Sequence, residues 1–224
     1  MSKTKGVNIQ KITVLAVICA LAYICTFVLR FKVMFLTFDF KDAVIAVSAL
    51  VYGPIAGFIC SAVVAFIEFI TVSETGVYGL IMNFLSSVAF SATAGVVYYY
   101  KRTFFGAIFS VATSVLSVVA VMLLANIFIT PFYMGVERSE VIALIPSLLL
   151  PFNIIKSVMN AALTLVIYKP FTTALGRLSL IERKKYNKGS GKRTVILLIC
   201  ALAVAAIAVL FFVFYLNGEI VGTK

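Results

Sequence analysis

Histidine and tryptophan are both absent from this 224-residue chain, and charged residues make up only 12% of it. Without histidine, the side chain that most often moves protons near neutral pH and binds transition metals is missing. No metal-ligand cluster, no nucleophile elbow and no paired intramembrane carboxylates are present. An enzyme is therefore not expected, nor a metal or a cofactor. The cysteines number four, at 19, 25, 60 and 200; all lie in apolar runs and none forms Cys-x-x-Cys, so they read as small apolar packing. Gly189-Ser-Gly-Lys-Arg-Thr194 is only a fragment of a phosphate loop. The full pattern needs glycine at 186 and Ser or Thr at 193, where Tyr186 and Arg193 stand. The chain carries no ATPase of its own.

What is there is apolar. Hydrophobic residues reach 63% and mean hydropathy +1.15, above the roughly half of a soluble domain. Apolar segments fall at about 12–29, 43–52, 54–71, 77–100, 104–130, 142–168 and 194–216. Most have the ~20 residues that cross a ~30 Å hydrocarbon core, and backbone satisfaction in lipid makes them helices. The first apolar run extends to Leu29. That is longer than a signal-peptide core, so an uncleaved span is expected. Segment 43–71 reads as a hairpin broken at Tyr52-Gly53-Pro54, with Asp42 as N-cap of its first helix.

Charge supports the hairpin. With the N-terminus cytoplasmic, Arg30, Lys32, Lys41, Arg138 and Lys224 fall outside, Lys156 is buried, and the remaining thirteen basic residues lie inside. A single span over 43–71 would move the basic run of 169–193 outside. The expected organisation is a six-helix membrane domain over 1–170, a basic cytoplasmic linker over 171–193, and a seventh span with an outer tail over 194–224. The net charge of +11 is thus explained by topology rather than by nucleic acid.

Lys156 is the costliest residue in these spans, at roughly 2.5–3.5 kcal/mol near a helix centre. Asn153, Lys156 and Asn160 share one helical face. Counting ~1.5 Å per residue from the span ends, Lys156, Glu68, Asn83 and Asn126 all fall in the outer third of the bilayer. Such an asymmetry describes a pocket open to the outside, not a continuous pore. Lys156 pairing with Glu68 and interhelical bonding of the asparagines are the bland alternatives. The outer loop Phe35-Leu-Thr-Phe-Asp-Phe40 supplies aromatics above this pocket, among them Phe38 and Phe40, with Thr37 in the same loop. Flat heteroaromatic ligands with imide edges suit asparagine amides, which both donate and accept.

Three blocks carry a family resemblance: Phe35–Asp42 followed by Tyr52-Gly-Pro-Ile-Ala-Gly57, then Thr75–Leu85 with Gly79 and Asn83, then Asn153-Ile-Ile-Lys156 together with Asn126. Over about 11–170 the chain resembles the S-components of energy-coupling-factor vitamin importers, most closely the riboflavin-specific branch. It departs at Leu80, where the family often has Glu, and in its extra segment 194–216. The resemblance implies an all-α, six-helix S-component bundle plus one additional C-terminal helix, in the cell membrane. It implies that Asn126, Asn153 and Lys156 bind the isoalloxazine edge of riboflavin, a transported ligand. It also implies a transmembrane coupling subunit and two ATPase subunits as partners, the first meeting Ala16 and Ala20. Small residues at that spacing admit a close helix contact. The alternatives are an S-component for another vitamin or for FMN, and a membrane scaffold without a small ligand.

Overall fold

The computed structural model describes residues 9–28, 30–33 and 35–178. The expected seventh span and most of the basic linker lie outside them. Helix α1 (Ile9–Val28) leads into a short antiparallel hairpin of β1 (Phe31–Val33) and β2 (Leu36–Phe38). Helices α2 (Lys41–Tyr52), α3 (Pro54–Thr71), α4 (Gly76–Tyr100) and α5 (Phe104–Met134) follow, then the short α6 (Arg138–Ala143). A π-helical turn (Ile145–Leu149) runs directly into α7 (Leu150–Arg177). Among the described residues, five helical segments are long and apolar enough to cross a membrane: Ile9–Val28, Pro54–Thr71, Gly76–Tyr100, Phe105–Met134 and Ile145–Arg177. The chain is a multi-pass, all-α membrane protein.

The hairpin at Gly53-Pro54 is present. Gly53 takes φ 95°, a left-handed value that glycine adopts without a Cβ clash, and Pro54 opens α3 at a position whose N–H needs no partner. Helix α4 packs tightly on this corner. A Cβ on Gly95 would stand 2.8 Å from Pro54 Cα and 2.9 Å from Pro54 N. Helix α2 has twelve residues, about 18 Å, and does not span the bilayer. It lies inside the bundle instead, with nine residues buried and α1, α3, α4 and α7 around it.

Several expectations need correction. Residues 31–38 hold a β-hairpin, where only a loop was expected. Asp42 does not cap α2: Phe40 is the N-cap residue, and Asp42 accepts from Ser86 Oγ (3.1 Å) and Ser87 Oγ (2.5 Å) on α4. The capping acceptor comes from α7, where Asn160 Oδ1 takes the Ala43 N–H at 2.9 Å and Asn160 Nδ2 donates to the Asp39 carbonyl at 3.0 Å. Asn160 thus serves the backbone of α2 rather than a shared polar stripe. Lys41, expected outside, is buried at 1% exposure. Helix α7 continues through Pro170 to Arg177.

Candidate functional site

One end of the bundle encloses a cavity of about 360 Å³, within the usual range for small-molecule sites. The C-terminal ends of α1, α3 and α5, the N-terminal ends of α4 and α7, and the β-hairpin all contribute to its wall. Of the expected site residues, Thr37, Glu68, Gly79, Asn83, Asn126, Asn153 and Lys156 line it. Phe38 and Phe40 do not. Phe38 is fully buried beneath the hairpin in an apolar cluster with Leu149, Phe152 and Ile155, and Phe40 packs against that cluster. On β2 Thr37 is half-buried between the buried Leu36 and Phe38; Leu36 and Thr37 both border the cavity, while Phe38 belongs to the apolar cluster.

The aromatic wall comes instead from Phe35, Tyr78, Tyr133 and Phe152. Tyr133 holds the first two together, with ring centroids 6.3 Å from each. Phe38 supports Phe152 edge-on at 6.1 Å. Tyr78 lies in the Thr75–Leu85 block and Phe152 beside Asn153. Helical spacing from Lys156 was the available signal for Phe152, four residues before it; Tyr78 stands five residues before Asn83, off its face, and had no such signal.

The floor is charged, and its groups are paired. Lys156 Nζ donates to Asp39 Oδ2 (2.9 Å) and to the Thr37 carbonyl (3.1 Å). Glu68 does not pair with Lys156, the alternative raised above: it is taken by Lys41 Nζ on Oε2 (2.5 Å) and by Thr26 Oγ1 on Oε1 (2.7 Å). Lys41 also stands 3.9 Å from Asp39 Oδ2, which joins the two pairs into one buried network. Burial would raise the Asp39 carboxyl, but the Lys156 and Lys41 ammoniums beside it outweigh burial and hold it below the usual carboxylate range. The network ties α1, the β2–α2 link, α3 and α7 around a common point.

The asparagines are only partly committed. Asn126 donates to the Met122 carbonyl (2.7 Å) and accepts from Thr130 (2.9 Å). Asn153 donates to the Leu149 carbonyl (2.7 Å), the last residue of the π-turn. Asn83 lines the cavity with no hydrogen bond among the described residues. These amides offer both donors and acceptors to a ligand in the cavity. Ala16 and Ala20 lie away from it, exposed on α1. Among the described residues, no group of three metal-ligating side chains comes together.

Three comparisons bear on this arrangement. The family model described as "ECF transporter, substrate-specific component" matches residues 10–168. The riboflavin transporter RibU of Staphylococcus aureus (strain TCH60) is 26% identical over 190 residues, covering 80% of this chain and all of the relative. A solved structure described as the S component of a bacterial ECF transporter superposes with a TM-score of 0.64 at 24% identity, over 75% of this chain and 99% of that one. The helical bundle, its cavity and the family match over most of its length agree: this chain belongs to the substrate-specific components of ECF transporters.

Proposed function

We propose that this S-component binds riboflavin from outside the cell and delivers it inward in complex with a transmembrane coupling subunit and two ATPase subunits. The observation that carries the reading is the cavity itself, where the amides of Asn83, Asn126 and Asn153 and the Lys156 ammonium face a wall of four aromatic rings. Such a site fits a flat ring with an imide edge. The RibU relative supports the same ligand.

The charges that line the cavity balance. Arg30, Lys41 and Lys156 line the cavity against Asp39, Glu68 and Glu74, three cations against three anions. Lys41 and Lys156 are already paired, while Arg30 keeps a buried Nε with no hydrogen-bond partner among the described residues, so charge does not choose between riboflavin and FMN, and the choice of riboflavin rests on the relative. Titration of the purified protein with riboflavin tests the proposal. Saturable one-to-one binding with quenched flavin fluorescence is expected. No quenching and no calorimetric heat would end the reading.

The orientation proposed is N-terminus inside, from the distribution of Lys and Arg. The cavity then opens outward, and the Ala16–Ala20 face of α1 is offered to the coupling subunit.

A further inference from the structure

Asp39 carries a buried atom that the fold does not use. Its Oδ2 takes Lys156 Nζ at 2.9 Å and stands 3.9 Å from Lys41 Nζ. Its Oδ1 is buried with no hydrogen-bond partner among the described residues, although the residue is only 2% exposed. Buried carboxylate oxygens almost always accept a hydrogen bond, and one left unmatched is costly. Asp39 also lines the cavity, beside Thr37 and Lys156. Its backbone is pinned, since its carbonyl accepts from Asn160 Nδ2. The oxygen is therefore held in place by α7 at two points, ready for a donor that the chain itself does not supply.

We propose that Asp39 Oδ1 accepts a hydrogen bond from an N–H or O–H group of the bound ligand, which makes Asp39 a specificity-determining residue of the cavity. The acceptor lies within a carboxylate held ionised by two lysines, so it selects for a ligand that brings a donor to this point and against one that brings a carbonyl or a methyl group. The inference rests on the riboflavin reading for its choice of probes. Riboflavin has two kinds of donor, the imide N–H of the ring and the hydroxyls of the side chain.

The test is a binding cycle of protein variant against ligand. Riboflavin, 3-methylriboflavin (no imide N–H) and lumiflavin (no side-chain hydroxyls) are titrated into the unaltered protein and into Asp39→Asn. In Asp39→Asn the amide oxygen stays on Lys156, and the amide N–H₂ meets the ligand's donor. One of the two analogues is expected to bind the unaltered protein roughly 10- to 100-fold more weakly than riboflavin, and that preference should largely vanish in the variant. Should Asp39→Asn fail to fold, Asp39→Glu keeps the charge between the lysines while displacing the free oxygen, and the same loss of preference is expected. If the variant weakens all three ligands by one common factor, Asp39 acts only through Lys156 and the inference falls. If the unaltered protein binds no riboflavin, the functional reading itself falls, a separate and distinguishable result.

Discussion

At the scale of single residues, the roles of the polar groups separate into holding a ligand and holding the bundle. Asn153 spends one donor on Leu149 and lines the cavity. Asn153→Ala should weaken riboflavin binding by about 1–3 kcal/mol, roughly 5- to 150-fold, as read by fluorescence titration; unchanged affinity removes it from the site. Asn160 caps α2 from α7. Asn160→Leu should therefore lower the melting temperature in detergent, by loss of a cap worth about 1–2 kcal/mol, with little change in affinity of the folded fraction. Lys156→Met strips Asp39 of its closest cation, leaving Lys41 at 3.9 Å. Removing one member of a buried pair costs about 3–5 kcal/mol, so this variant should lose stability as well as binding, and adding Asp39→Asn should recover much of the stability alone. The cost of Lys156 was legible from its position in an apolar run. Its partner was not. Depth counted along straight helices put Glu68 level with Lys156, but depth says nothing of azimuth, and Lys41, placed outside by the segment boundaries, claims Glu68 from the start of α2.

Among the elements, the α2–α3 hairpin was the most legible, because Gly-Pro followed by an apolar run has few other conformations. The close approach of α4 to its corner was not, since contact of Gly95 with the Pro54 backbone is a tertiary event. Gly95→Val should destabilise the bundle by about 1–3 kcal/mol, because the obstructing atoms are backbone and cannot swing aside. Thermal unfolding followed by circular dichroism measures it, and an unchanged melting temperature would show that α4 can shift freely. The β-hairpin went unread for a different reason. Its strands have three residues each, too few for alternation to register, and they are stabilised by burying Leu36 and Phe38 against the π-turn and α7 rather than by strand propensity. That burial also decided which aromatics reach the cavity. Composition offered Phe38 and Phe40; packing chose Phe35, Tyr78, Tyr133 and Phe152.

In the whole molecule, the cavity occupies one end of the bundle and the exposed Ala16–Ala20 face lies along α1, away from it. Ala16→Trp or Ala20→Trp should leave riboflavin affinity intact and abolish ATP-driven uptake in cells carrying the partner subunits, because bulk at a close helix contact blocks docking. Normal uptake by both variants would place the partner surface elsewhere. The short central helix also dictates an order of events during biosynthesis. Twelve residues headed by Lys41 and Asp42 cannot enter lipid unaccompanied. The groups that neutralise or cap them sit on Glu68, on Ser86 and Ser87, and finally on Asn160. These leave the ribosome in that sequence. Until the last of them is made, the head of α2 lacks a partner that the finished bundle supplies, although α2 is among the first helices synthesised.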